Sequence, residues 1–295
     1  MELRRFLLIV SAFLIIGLVL LAWFMPLNDD FQDENPFWNG VSNIIEEYPV
    51  RLLTSLADLP PSPLGQTLIL IPYQNSTAAE LEQLNRFVLQ GGRLILADDY
   101  GYGNQILEYL GLKTRFSGQT LLDPMINYKA RQFPEITHLE PNPLTADITS
   151  LVFNHATCLI DFSANETVAS SSTFSFLDLN DNGISDADEP TGPLPVISQH
   201  TLDSGLVILI ADPSLFINSM DKMAGNDSFI QNIFTSAKGD IYFDCSHLEV
   251  SPLQQTKSWL KEARGFVADP AGTLVLVAAV IVAALIPVWY KKKQS

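Results

Sequence analysis

Apolar residues divide the chain into two uninterrupted runs and a patterned middle. Phe6 to Leu27 carries no charge over its whole length, and neither does Gly272 to Tyr290. At a rise of about 1.5 Å per residue, each could cross a hydrocarbon core of roughly 30 Å. Two membrane spans, 6–27 and 272–290, are therefore expected. Between them, Asn28 to Asn39 is acidic and polar and reads as a linker. Val41, Ile44, Ile45 and Tyr48 have helical spacing, Pro49 stops it, and Val50 to Leu53 follows as a strand. Thr67 to Ile71 is continuously apolar, as in a strand buried on both faces. Thr77 and Glu80 form a capping box, and Leu81, Leu84, Phe87 and Val88 give the helix one apolar face. Gly91-Gly92 closes that helix, and Arg93 to Ala97 is a second buried strand. Gly101 to Asn104 turns into a helix over Gln105 to Leu110. Strand–helix–strand–helix at this spacing predicts a parallel βαβ unit.

The rest is more broken. Leu151 to Phe153, Thr157 to Phe162, Thr173 to Leu177 and Pro195 to Ser198 are strand-like, and Gly205 to Ala211 is another apolar strand. A helix capped by Asn226 or Asp227 runs to Lys238, and Asp240 to Phe243 is the last strand. Pro252 to Phe266 reads as a short helix leading to the membrane, with Trp259 suited to its interface. The expected fold class is α/β: a mostly parallel sheet in a domain over 40–248, joined by a segment at 249–271 to the second of two flanking membrane helices.

Basic residues orient the spans. Arg4 and Arg5 precede the first run and no Lys or Arg follows it until Arg51, which places the N-terminus in the cytoplasm. Lys257, Lys261 and Arg264 precede the second run and Lys291, Lys292 and Lys293 follow it. With the first helix deciding, both tails (1–5 and 291–295) are cytoplasmic and the domain lies outside the cell membrane. The first run exceeds the roughly 7–15 residues of a signal-peptide core, and Ala22-Trp23-Phe24-Met25-Pro26 lacks a small-residue cleavage site. An uncleaved anchor is expected.

Charge narrows the partners. Of 33 acidic and 17 basic residues, only Glu2, Arg4, Arg5 and the three terminal lysines lie outside the middle, leaving it 32 acidic against 12 basic. Such a surface repels nucleic acid and anionic lipid. The two cysteines, Cys158 and Cys245, both fall in the part expected outside, where a disulfide is favoured over two buried thiols. Asn75, Asn165 and Asn226 head glycosylation triplets.

Two stretches carry a resemblance. Leu84-Asn-Arg-Phe-Val-Leu-Gln-Gly-Gly-Arg-Leu-Ile-Leu-Ala-Asp-Asp99, followed by Tyr100-Gly-Tyr-Gly-Asn-Gln-Ile-Leu-Glu-Tyr-Leu110, resembles the family called domain of unknown function 4350. So does Ile210-Ala-Asp-Pro-Ser-Leu-Phe-Ile-Asn218 with Asn226-Asp-Ser-Phe-Ile-Gln-Asn232. The resemblance covers roughly 40 to 240. It implies a flavodoxin-like sheet similar to class I glutamine amidotransferases, without their reaction, and a likeness to extracytoplasmic parts of gliding-type transport components. MoxR-type AAA ATPases and von Willebrand A domain proteins are the partners it implies.

Catalytic motifs are sparse. An amidotransferase needs a cysteine on a strand-to-helix elbow, and Asp98-Asp99-Tyr100-Gly101 stands there instead. Cys245-Ser246-His247 has the residue types but no elbow, no G-x-S-x-G occurs, and His138, His155, His200 and His247 share no metal-ligand spacing. Gly101-x-Gly103 lacks the third glycine of a dinucleotide fingerprint. Asp98, Asp99 and Asp212 all follow buried strands, where α/β sheets place ligands, so they mark a possible ligand edge. The sharpest signal is Asp178-Leu-Asn180-Asp-Asn182-Gly183-Ile184-Ser-Asp186-Ala-Asp188-Glu189. It matches the calcium-loop pattern D-x-[DN]-x-[DN]-G-x₅-E, with Asp178, Asn180, Asn182, Asp186 and Glu189 giving side-chain oxygens and Ile184 its carbonyl. A strand before it and Pro190 after it make this a structural Ca²⁺ loop in a hairpin, not an EF-hand. The expected role is a non-enzymatic binding or scaffolding protein. An accessory subunit of a transporter and a hydrolase using carboxylates near Asp98 and Asp212 are the alternatives.

Overall fold

The computed structural model describes residues 2–292, with side chains over 3–279, 281 and 282. Helix α1 (Glu2–Phe24) is followed by α2 (Ser42–Glu47), β1 (Val50–Leu53), β2 (Thr67–Leu70), α3 (Ala78–Leu89), β3 (Arg93–Ala97) and α4 (Asn104–Tyr109). Short strands come next: β4 (Arg115–Phe116), β5 (Thr120–Leu122), β6 (Glu135–Ile136), β7 (His138–Leu139), β8 (Leu151–Val152) and β9 (Leu159–Ile160). Then follow β10 (Thr167–Ser170), β11 (Phe176–Asp178), β12 (Pro195–Leu202), β13 (Gly205–Ile210), α5 (Asn226–Thr235), β14 (Ile241–Asp244), α6 (Pro252–Ala268) and α7 (Pro270–Lys292).

Eight strands form one sheet in the order β1-β14-β2-β3-β13-β12-β10-β7. The five from β1 to β13 are parallel and the pairs from β13 to β7 are antiparallel. The sheet is therefore mixed, which corrects the mostly parallel, flavodoxin-like expectation. The physical reason is β12: it runs for eight residues back along β13 through a tight turn at Asp203-Ser204, so the chain needs no crossover helix there. Residue patterns explain the parallel half. Leu68, Leu94 and Val207 on one face and Ile69, Ile95 and Ile208 on the other are all at most 1% exposed, as strands covered on both faces must be.

Helix α3 carries the predicted capping box: the Thr77 side chain accepts from Glu80 N while Glu80 accepts from Thr77 N at 2.7 Å. Its buried face is Leu81, Leu84, Phe87 and Val88. Gly91 closes the helix at φ +96°, a conformation that costs other residues 1 kcal/mol or more, as an order of magnitude.

The chain divides into two compact units, residues 28–249 and the terminal helices. Residues 28–39, expected as a linker, belong to the domain: Asn218 Nδ2 donates to Asn35 O and Phe37 O, and Gln32 Nε2 to Glu249 O. The terminal segments also correct an expectation. Among the described residues one helix is long and apolar enough to cross a membrane, Leu3–Phe24, with a mean hydropathy of 2.9 and none of it buried. The described apolar part of α7 is Pro270–Ala279, which at about 1.5 Å per residue reaches only half a bilayer core. Of the rest of the expected span, to 290, only 281 and 282 have described side chains. The two-span topology, with both tails cytoplasmic and the domain held outside the cell membrane, is thereby overturned.

Gly205 tests the packing of α3 on the sheet. A Cβ there would lie 1.9 Å from Val88 O and 2.8 Å from Gly92 O, both backbone atoms that cannot swing away. Gly205→Ala should cost about 2 kcal/mol or more, as overpacking does, and lower the melting temperature of the domain transition by roughly 5 °C. An unchanged thermal transition by circular dichroism would show that β13 and α3 are not packed this closely.

Candidate functional site

The parallel strands end at one edge of the sheet, where the following loops leave the ladder and their N–H groups need acceptors. Aspartates supply them. Asp98, after β3, accepts from the N–H groups of Tyr100 (2.9 Å), Gly101 (3.0 Å) and Gly103 (2.6 Å). The Gly101-x-Gly103 turn is thus wrapped around the chain's own carboxylate, which takes the place a phosphate would have. Asp212, after β13, accepts from Ser214 N at 2.8 Å and Asn154 N at 2.6 Å. Burial raises both pKa values, against the pull of these donors, and Asp212, the deeper, is raised well above the usual range. Asp98 and Asp212 are occupied by backbone.

Asp99 is engaged less. Its Oδ1 is buried without a hydrogen-bond partner, and burial, with repulsion from Asp98 and Asp30 and against a hydrogen bond from its own backbone N–H, pushes its pKa up to about 7. It lines a cleft of about 640 Å³ outside the carboxyl ends of β2, β3 and β13. Here the chain leaves β2 for β3 on one side while β14 pairs on the other, the kind of switch point at which α/β sheets bind ligands. One wall is aromatic. The ring of Tyr73 lies 5.8 Å from that of Phe31 at 50° and 5.8 Å from that of Tyr100 at 60°, forming a corner. Residues 30–39 contribute Asp30, Phe31, Trp38 and Asn39, so the segment read as a linker is a wall of the site. Across from them stand Tyr128, Lys129, Phe133 and His155, with the Lys129 ammonium 4.7 Å over the Tyr128 ring.

A second constellation lies at the ends of β2 and β14. His247, 2% exposed, places Nδ1 2.7 Å from Asp244 Oδ2 and Nε2 3.2 Å from Ser76 Oγ. Serine hydrolases arrange their triad in this order. Here Glu80 Oε2 also lies 3.8 Å from Nε2, so the imidazole sits between two carboxylates. Burial opposes its charge, but the hydrogen bond and charge of Asp244, with Glu80 beyond, win and raise its pKa. A raised pKa favours the protonated ring, whose Nε2 would have no lone pair for a serine proton, and Ser76 is itself only 6% exposed. The group reads as a charged staple between β14 and the start of α3.

Residues 38–234 match the family model described as domain of unknown function (DUF4350). The chain belongs to the DUF4350 family. No curated protein matches it. Among solved structures, the mmIFT52 N-terminal domain is 15% identical, with a TM-score of 0.46 over 59% of this chain and 78% of that one. A β-galactosidase from Bacillus circulans sp. alkalophilus is 13% identical (TM-score 0.37), matched over 58% of this chain and only 22% of its own. A putative ThuA-like protein from Bacteroides uniformis is 13% identical (TM-score 0.29), over 57% and 66%. Likenesses this slight carry no argument about activity.

In this DUF4350 domain the calcium-pattern residues do come together. Asp178, 4% exposed, accepts from Asn182 N at 3.1 Å and Gly183 N at 2.8 Å, and Glu189, 7% exposed, accepts from Leu179 N and Asp186 N. Asn180 and Asn182 turn their amide N–H groups to Asp186, while Ile184 N donates to Asn182 Oδ1. Arg131 donates to Gly183 O from outside the loop. Among the described residues no group of three or more His, Cys, Asp or Glu could hold a metal ion. Cys158 and Cys245 are free thiols, set before β9 and after β14 and not joined, and burial pushes the pKa of each up to about 12. Of the sequons, Asn75 and Asn165 are exposed. Asn226 is 0% exposed and donates to Val152 O and Met220 O while accepting from Val152 N, so its amide is closed to a glycan in the folded domain.

The staple has a pH signature. Because the folded pKa of His247 is raised, its stabilisation is complete below the ordinary histidine value of about 6.5 and is lost as pH rises through the folded value. His247→Gln should lower the melting temperature at pH 6, and the deficit should shrink toward pH 9. A deficit constant across that range would mean that the imidazole is not charged.

Proposed function

We propose that this DUF4350 domain is a non-catalytic ligand-binding module whose ligand sits in the cleft beyond β2, β3 and β13. The observation that carries the reading is the pairing of an aromatic corner with a buried, unpartnered carboxylate oxygen on Asp99. Pockets for small molecules are mostly apolar with a few convergent polar groups, and this cleft has that make-up. Its non-catalytic half is supported by the neighbouring carboxylates. Asp98 and Asp212 are engaged by backbone N–H groups, which opposes the hydrolase alternative. Partnership with a MoxR-type ATPase and a von Willebrand A protein, or with a transporter, remains a separate proposal resting on the family resemblance.

Ser219 lines the cleft and is exposed, so Ser219→Trp should fill it without disturbing the core. Against a library of small polar compounds, some should raise the melting temperature of the wild-type chain and leave Ser219→Trp unmoved. Compounds that shift both proteins equally, or neither, would remove the cleft as the site.

A second reading concerns calcium. The Asp178–Glu189 loop carries the oxygen-bearing residues of the calcium pattern about the Gly183 turn, and its two most buried carboxylates, Asp178 and Glu189, stand at either end. Calcium bound there would replace hydrogen bonds within the loop and neutralise its charge, fastening the β11 hairpin. An ion at a hundredfold excess over Kd stabilises by about 2.7 kcal/mol. Chelation should therefore lower the melting temperature by roughly 5–10 °C in wild type and little in Glu189→Gln. Absence of both a calorimetric binding signal and a shift would leave the loop an acidic turn.

A further inference from the structure

We propose that the cleft takes an organic cation, an alkylammonium or quaternary ammonium group, seated against Phe31, Tyr73 and Tyr100 with Asp99 as its counter-ion. The proposal rests on the cleft reading and names the chemistry of its ligand.

Three observations converge. The three rings meet at 50° and 60° with 5.8 Å between successive centroids, so they present π faces from different directions instead of one flat platform. A ring face attracts a cation within about 6 Å of its centroid, and several angled rings surround one better than a single face does. Asp99 lines the cleft with its Oδ1 buried and unpartnered, so its charge is poorly solvated and a cation in the cleft offsets it. Asp30 lines the same cleft and adds to its negative field, which disfavours an anion.

Ionisation of Asp99 governs the site. The groups around it are Asp98 and Tyr100 on its own loop, Tyr73 after β2, Asp212 after β13 and Asp30 from the N-terminal segment. Lys129 and His155 face the cleft from the opposite loops, and Glu249 adds negative potential at Tyr73 and Tyr100. The acidic groups raise the pKa of Asp99 after burial, to about 7. A bound cation reverses that balance. Affinity for a permanent cation should accordingly rise with pH across 6 to 8.

The test uses the full chain in a polyoxyethylene detergent, which carries neither an ammonium group nor a sugar. Choline and its neutral isostere 3,3-dimethylbutan-1-ol are titrated by calorimetry and by tryptophan fluorescence, since Trp38 lines the cleft. Choline should bind at least about tenfold more tightly than the isostere at pH 8, a difference of about 1.4 kcal/mol. Asp99→Asn should bring choline down to the level of the isostere and abolish the pH dependence. The same variant should melt higher than wild type at pH 8, because it removes a buried carboxylate charge beside Asp98 and Asp30, which separates lost binding from lost folding. Tyr100→Leu, at a side chain 63% exposed, should weaken choline several-fold without unfolding the chain. Equal binding of choline and isostere would overturn the proposal, as would an undiminished affinity in Asp99→Asn. If neutral compounds protect wild type and not Ser219→Trp while choline does not bind, the cation is wrong and the cleft stands. If nothing distinguishes wild type from Ser219→Trp, both readings fall.

Discussion

Backbone N–H groups stranded at the carboxyl edge of a buried parallel sheet must find acceptors, and in this domain side chains of aspartate provide them. Asp98, Asp212 and Asp244 end three strands, each 2% exposed or less, and each folds back onto the N–H groups of the loop that follows. Unsatisfied, such groups would cost about 1–3 kcal/mol apiece in a site closed to water. The loops at this edge therefore have little freedom. Where Asp98 holds Tyr100, Gly101 and Gly103, the Tyr100 ring is fixed beside Tyr73; where Asp212 holds Asn154, the opposite wall is fixed through His155. The shape of the cleft is a consequence of how three loops satisfy their own backbone.

Sheet order decides what that cleft contains. The parallel half, β1 to β13, aligns the strand ends, while the antiparallel return along β12 and β10 frees the chain between β4 and β11 from crossover duty. That chain supplies Tyr128, Lys129, Phe133 and His155. Residues 28–39 close the other side, held by Asn218, whose amide reaches Asn35, Phe37 and Ser42 and whose carbonyl accepts from Asn43 N. A wall that includes residues 28–39 needs such a bracket, since that segment has no helix or strand of its own to hold it.

Legibility in the sequence followed the locality of the cause. Thr77, Glu80, Gly91 and the apolar runs of β2, β3 and β13 act within one or two turns, so spacing alone located them. Asp98, Asp99 and Asp212 were legible as an edge, because apolar runs ending in acid mark strand ends; which of them was spare was not, because only packing shows that Asp98 is spent on its loop. His247 and Ser76 lie 171 residues apart, and no local signal joins them. The mixed sheet escaped for a related reason: Asp203-Ser204-Gly205 marks a turn, but a turn signal alone does not say that the strands on either side of it pair with each other. Asn28 to Asn39 was misread because its polarity is satisfied internally, by Asn35 and Asn39 bonding each other at 3.0 Å, instead of by water.

The remaining question is why Asp98-Asp99 is a pair. One carboxylate suffices for the loop, and a second beside it raises the energy of both when ionised. Burial then pushes Asp99 to a pKa of about 7, so at neutral pH the folded domain holds a carboxyl group near its midpoint. A raised carboxylate pKa means the folded state binds a proton that the unfolded state has released. Stability is therefore lost progressively from the ordinary aspartate range of about 4 up to the folded value. An asparagine would avoid that loss with nearly the same shape, and nothing in the surrounding hydrogen bonds requires acid at this position. A residue that destabilises its own fold, lines a cleft and leaves an oxygen unpartnered is most simply understood as one whose partner comes from outside. The cost sits in the empty domain and is returned when a positive group enters, which is how strain at a site becomes affinity.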